Sequence, residues 1–273
     1  MQIKLIATDL DGTLMSSDHL TVSERTKAAL LAAHEKGIGI AIATGRTLHF
    51  TDNVTSQIPF VDYVICSNGA AVYDRNKKEY IYRNLISPFD TAETITFLNS
   101  QPVYYNVYSD GMIYVQNGAE KFFINPDMPQ VFIDAFERFA VHCDDIESDL
   151  AGRSAELIDI FASDEKSHKE ILDFCAGKNY KLASAAPGVN SATVIDADKG
   201  NALRGMCKVL DIVPEEIMTF GDAQNDCPML ELAGLSFAMA NGDDICRASA
   251  KMQAPSNAED GVAQMIEKYV LNI

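Results

Sequence analysis

Short apolar runs set between longer mixed stretches organise the first ninety positions of the chain. Ile3–Thr8 reads as a buried strand, and the wording Thr21-Val22-Ser23-Glu24 reads as a capping box that opens a helix running to about Lys36. Gly39-Ile40-Ala41-Ile42-Ala43 is a second strand and ends in Thr44-Gly45-Arg46; a further helix and the strand Tyr63–Cys66 lead to Ser67-Asn68-Gly69. Strands that are apolar throughout, rather than alternating, and that are separated by helices predict βαβ units and a parallel sheet covered on both faces. Sheets of that kind bind ligands at the carboxyl ends of their strands.

The pattern changes between Ser87-Pro88 and Pro187-Gly188. Val103–Tyr108 and Met112–Val115 flank Ser109-Asp110-Gly111, a hairpin signal, and helices are predicted near Pro129–Val141 and Asp164–Ala176 with strands at Leu157–Ala162 and Tyr180–Ala185. The α/β alternation then resumes with a helix at Lys199–Leu210, a strand at Ile217–Phe220, a helix after Asp226, a strand at Leu235–Met239 and a last helix to about Leu271. The expected fold class is therefore α/β: a doubly wound, Rossmann-like parallel-sheet core, 1–86 and 191–273, interrupted by an inserted α+β domain, 87–190. No internal repeat or low-complexity segment appears.

Composition narrows the function classes. A chain of 273 residues with an apolar fraction of 47% and a charged fraction of 22% can bury a sizeable core. No stretch has the length of a membrane span and the N-terminus lacks the sections of a signal peptide, so a cytoplasmic location is the expectation. The net charge of −17, with no cluster of Lys and Arg, argues against nucleic acid. Acidic runs such as Asp144-Asp145-Ile146-Glu147 read as solvated surface. Six scattered cysteines without a C-x-x-C pair read as reduced thiols.

The most informative wording is Asp9-Leu10-Asp11-Gly12-Thr13, where two carboxylates stand two residues apart as a strand opens into a loop. They would repel unless a cation or a reaction needs them. Three further segments fall at strand ends or a helix start: Thr44-Gly45-Arg46, Asp198-Lys199-Gly200 and Gly221-Asp222-Ala223-Gln224-Asn225-Asp226. Asp9, Asp11 and Asp222 offer the oxygens Mg²⁺ prefers, Thr44 and Asn225 can hydrogen-bond a phosphate, and Lys199 can neutralise it. Gly12 and Gly45 allow close backbone approach to an anion. Arg46 reads equally as a substrate contact or a surface ion pair, Asn68 as a turn residue before Gly69, and Tyr104, Tyr105, Tyr108 and Tyr114 as strand packing. An EF-hand fails on spacing, since Gly12 would stand at loop position 4 rather than 6. The nucleotide-binding Gly-rich loops and the serine nucleophile elbow are absent.

These four segments, in this order, resemble the four motifs of the haloacid dehalogenase superfamily of phosphohydrolases. The insert between the second and third, together with Pro255-Ser256-Asn257-Ala258-Glu259-Asp260-Gly261-Val262-Ala263, resembles its Cof-type (subclass IIB) sugar-phosphate phosphatases; the stretch Ala192–Asp198 departs from the usual family wording. The resemblance implies that Asp9 is a nucleophile forming an aspartyl-phosphate and that Asp11 protonates the leaving group and then activates water. It also implies a Mg²⁺ site built from Asp9, the main-chain carbonyl of Asp11 and Asp222, with Asp226 supporting the metal or Lys199. Leu10, Thr44, Gly45, Arg46, Lys199 and Asn225 would hold the phosphoryl group or substrate. The expected partner is a small phosphorylated metabolite, with the inserted domain acting as a cap. A phosphomutase using the same intermediate, and a non-catalytic phospholigand-binding protein, are the alternatives.

Overall fold

The computed structural model describes residues 2–18, 20–119, 138–162, 164–186 and 189–273. Its strands are β1 Leu5–Thr8, β2 Gly39–Ala43, β3 Tyr63–Cys66, β4 Ala71–Asp74, β5 Glu79–Arg83, β6 Val103–Ser109, β7 Met112–Gln116, β8 Ala140–Cys143, β9 Leu157–Ala162, β10 Tyr180–Ala186, β11 Val189–Val194, β12 Ile217–Gly221, β13 Leu235–Met239 and β14 Met252–Ala254. The chain divides into two compact units, Met1–Arg83 with Asp198–Ile273, and Asn84–Ala197. The core unit resumes at Asp198 rather than at 191, because β11 runs to Val194 paired with β10 on one side and β9 on the other.

The core sheet has the order β14-β13-β12-β1-β2-β3-β4-β5. The six strands from β14 to β3 pair in parallel, and β4 and β5 close the edge as an antiparallel hairpin. The chain winds one way from β1 to β3 and the other way from β12 to β14, which puts the switch of direction between β1 and β12. Alternate residues serve opposite faces: Leu5 and Ala7 pack with Leu203, Met206 and Met229, while Ile6, Ile40 and Phe220 pack with Leu30 and Ala263. Burial on both sides explains why these strands read as continuous apolar runs.

The helix Glu24–Glu35 starts one cap later than its wording predicts. Ser23, not Thr21, accepts the Thr26 N–H, and Thr21 is held by Asp18, which accepts from its N–H at 2.9 Å and its hydroxyl at 2.7 Å. Short-range competition for the backbone decided the boundary.

The inserted unit has a sheet in the order β10-β11-β9-β6-β7-β8, with the helices Pro88–Asn99 and Glu165–Gly177 against it. The hairpin at Asp110-Gly111 forms a two-residue loop with φ of +50° and +77°, the left-handed pair a tight reversal requires. Of the helix expected at Pro129–Val141, positions 129–137 lie outside the described residues. Ala140–Cys143 is a strand instead, parallel to β7, because pairing with an open sheet edge overrides weak helical preference. Tyr104, Tyr105 and Tyr114 are buried in this unit. Among the described residues no helix is long and apolar enough to cross a membrane.

Candidate active site

β1 ends at Thr8, and Asp9 follows in extended conformation with its N–H donated to the Phe220 carbonyl of β12 at 3.0 Å. The nucleophile candidate is thereby fixed at the switch of strand direction. Lys199 is the first residue of the helix Lys199–Leu210, whose N-cap Asp198 accepts the Asn201 N–H at 2.8 Å. A lysine is unfavourable at a helix N-terminus unless it is paired. Here its Nζ donates to Asp9 Oδ1 at 2.7 Å and to Asp226 Oδ1 at 2.6 Å, in a site where Lys199 is 1% and Asp226 0% exposed. Asp226 Oδ2 accepts the N–H groups of Asp222 and Ala223 at 2.9 and 3.1 Å, so it braces both the lysine and the loop after β12.

Asp222 accepts the Thr13 hydroxyl at 2.7 Å. Oxygens of Asp9, Asp222 and Asp226 lie within 4.8 Å of one another. Three carboxylates against one ammonium leave uncompensated negative charge. Burial pushes the Asp9 carboxyl well above its usual range, Lys199 opposes this, and the charges of Asp226, Asp222 and Asp11 add to it. Burial likewise lifts Asp222 to about 6, against the Thr13 hydrogen bond and with the Asp226 charge. For Lys199 burial works to lower the pKa, but the Asp226 and Asp9 charges outweigh it and hold the ammonium above its ordinary value. An all-oxygen donor set with excess charge fits a hard divalent cation such as Mg²⁺.

Glycines let these loops close on one another. Gly12 has φ +81°, and a Cβ there would lie 2.3 Å from Asp222 Oδ2. At Gly69, with φ +95°, a Cβ would lie 2.2 Å from the Asp198 carbonyl oxygen.

The remaining candidates divide. Thr44 is buried and its hydroxyl accepts the Arg46 N–H at 3.1 Å. Asn225 donates to Asn68 Oδ1 at 3.1 Å, and Asn68 packs over Gly45, so the two loops meet and Asn68 does more than turn the chain. Leu10 is fully buried in the core, which leaves only its main chain to serve a ligand. The Asp11 carboxylate is outside the acidic trio. Arg46 grips it through Nε at 3.0 Å and Nη2 at 2.6 Å, and the Arg46 side chain is 8% exposed. The surface ion pair considered for Arg46 is thus a part-buried, two-pronged clamp on the second aspartate. Sequence reasoning did not single out Thr13, Asn241 or Asn257. Thr13 stood in the quoted D-x-D-G-T wording, and Asn241 follows the end of β13 as Asp9, Thr44 and Asp222 follow the ends of their strands.

A family model described as haloacid dehalogenase-like hydrolase matches residues 6–266. The phosphatase YwpJ of Bacillus subtilis is 31% identical over 97% of this chain and 99% of its own length. From the same organism, the 5-amino-6-(5-phospho-D-ribitylamino)uracil phosphatase YcsE is 27% identical over 99% of this chain and 97% of its own. The solved structure of a subclass IIB sugar phosphatase superposes with a TM-score of 0.80, at 24% identity over 97% of this chain and 98% of that one.

Proposed function

Because the chain belongs to the haloacid dehalogenase-like hydrolases and is a phosphoric monoester hydrolase, we propose that it is Mg²⁺-dependent and works on small phosphomonoesters through a covalent phosphoryl group on Asp9. The observation that carries this reading is the buried Asp9 carboxylate. It is tied through one oxygen to Lys199 and stands beside two further aspartates at the carboxyl end of β1. A buried carboxylate held in this way supports attack on phosphorus in line with the leaving group.

Asp9 and Asp222, with the main-chain carbonyl of Asp11, would hold Mg²⁺, and Asp226 would support them, since its own oxygens already serve Lys199 and two N–H groups. When bound, the cation supplies neutralisation of the phosphoryl oxygens and the nucleophile. In the first step an Asp9 oxygen forms a bond to phosphorus as the ester oxygen departs, and Asp11 gives that oxygen its proton. In the second, Asp11 takes a proton from water, whose oxygen displaces the Asp9 carboxylate from phosphorus and releases inorganic phosphate. Lys199, the Thr44 hydroxyl, the Asn225 amide and main-chain N–H groups at Leu10 and Gly45 cradle the transferred group. Arg46 fixes the orientation of Asp11.

Names of relatives point to polyol or sugar phosphates as the substrate class. The inserted unit 84–197 serves as the cap that selects among them. Six unpaired cysteines, five of them buried, fit a reducing, cytoplasmic setting.

The test is phosphate release from a panel of phosphomonoesters with Mg²⁺ and with chelator. Turnover is expected only with the metal, and Asp9→Asn is expected to remove it by at least about 10³-fold. Absence of release from every substrate, or an active Asp9→Asn variant, would refute the reading.

A further inference from the structure

The C-terminal wording Pro255–Ala263 has no part in the chemistry above, yet it is built with unusual care. Ser256 and Glu259 cap each other: Glu259 Oε2 accepts the Ser256 N–H at 3.1 Å and its hydroxyl at 2.7 Å. Asp260 takes a left-handed conformation with φ +58°, and a Cβ at Gly261 would lie 2.0 Å from the Pro255 carbonyl oxygen. All of this presents one residue, Asn257. Its N–H donates to Asn241 Oδ1 at 3.1 Å, and its side-chain amide donates to the Met15 carbonyl at 2.9 Å. Asn241 in turn donates its amide to the Gly12 carbonyl at 2.7 Å. Each amide faces a carbonyl, and Asn241 also faces an N–H, so the partners fix which end is oxygen and which is nitrogen.

We propose that Asn241 and Asn257 are positioning residues, a two-amide strap that holds the loop 11–15 by its Gly12 and Met15 carbonyls and so sets where Asp11 delivers and collects its proton. The proposal rests on the phosphatase reading. The strap grips the loop carrying Asp11 and leaves Asp9 alone, because Asp9 is anchored independently by the Phe220 carbonyl and Lys199. It is itself seated on the opposite loop of the site: the Asp243 N–H donates to the Asp222 carbonyl at 2.9 Å, and a Cβ at Gly242 would lie 2.7 Å from that same oxygen. The far end of the loop is closed by its own Met15 N–H to the Leu10 carbonyl at 2.9 Å.

This division has a kinetic signature. With p-nitrophenyl phosphate the leaving group departs without a proton, so at saturating Mg²⁺ phosphoryl transfer to Asp9 does not need the Asp11 side chain as acid and proceeds even when that side chain is misplaced. Hydrolysis of the phosphorylated Asp9 still needs Asp11 as base.

Asn257→Ala and Asn241→Asp, the latter keeping shape and acceptor but setting an oxygen against the Gly12 carbonyl, are compared with wild type in the Mg²⁺-loaded full chain. With an alkyl phosphate kcat is expected to fall about 10- to 100-fold with KM within about threefold, the scale of a misplaced proton-transfer group. With p-nitrophenyl phosphate a burst of nitrophenolate near one equivalent is expected to precede a slow steady state. Peptides covering residues 10–16 are expected to exchange amide hydrogens faster in the variants, with melting temperatures unchanged within a few degrees. Variants that turn over alkyl phosphate like wild type, or that lose burst and steady state alike, would overturn the strap while the phosphatase reading stands. A wild type inactive on every phosphomonoester would overturn both.

Discussion

Replacing Lys199 with Met keeps the unbranched apolar stem of the side chain and removes its charged end. In the folded protein that charge is 2.7 Å from Asp9 and 2.6 Å from Asp226, and Lys199 itself is 1% exposed, so no water stands ready to take its place. Breaking a buried pair by deleting one partner costs about 3–5 kcal/mol. Two carboxylates lose their partner here, but proton uptake at Asp9 returns part of the cost, so the upper half of that range is the expectation only where Asp9 is ionised. The sign follows from the direction of its shift. An acid raised above its ordinary value of 3.8 contributes stability that is complete below that value and is lost as pH rises through the folded pKa. Removing Lys199 raises Asp9 further and widens that window. The deficit of Lys199→Met is therefore expected to be greatest near pH 8 and to shrink toward pH 5.5. At about 2–4 °C per kcal/mol for a protein of this size, it should appear as a fall of about 10 °C in the core's melting temperature at pH 8. Calorimetry of both proteins in chelator, at the two pH values, is the assay. A variant within about 1 kcal/mol of wild type at pH 8, or a gap that widens as pH falls, would refute the electrostatic account.

Two further outcomes test the geometry. Gly12→Ala places a methyl 2.3 Å from Asp222 Oδ2 at a φ of +81°, so it is expected to cost about 1–3 kcal/mol in backbone strain and to weaken Mg²⁺ binding; calorimetric titration of Mg²⁺ and urea unfolding read the two effects separately. Asp222, raised to about 6, must lose its proton before it can hold a cation. Its protonated form stabilises the metal-free fold below the ordinary 3.8, and that contribution is lost as pH rises through about 6. The increase in melting temperature on adding Mg²⁺ is therefore expected to grow from pH 5 to pH 7, and a gain that does not change with pH would refute the assignment of Asp222 as a ligand.

Much of the fold was legible because its signals are local. β9 at Leu157–Ala162, β13 at Leu235–Met239 and the helix Lys199–Leu210 lie where period and caps place them, and Asp110-Gly111 announces its own turn. The hairpin β4–β5 carries little signal in the sequence, because Glu79–Arg83 is an edge strand with mixed polarity and its turn carries Lys78, not Gly, at φ +59°. β14 is three residues long and held by pairing with β13, which leaves almost no pattern to detect. β8 falls where the sequence predicts the end of a helix, because its partner strand, not its own composition, decides its state.

Residue type and period are properties of neighbours in the chain, so the sequence marks which carboxylates and glycines stand at the ends of apolar runs and which lysine opens a helix. Tertiary structure alone decided how those groups are paired. Arg46 clamps Asp11 rather than lying on the surface, Asp226 is spent on Lys199 and the Asp222 loop, and Asn241 reaches the Gly12 carbonyl across 229 positions of sequence. A hydrogen bond acts over about 3 Å, and only the packed sheet, which brings distant strand ends to one edge, sets which donors fall within that reach.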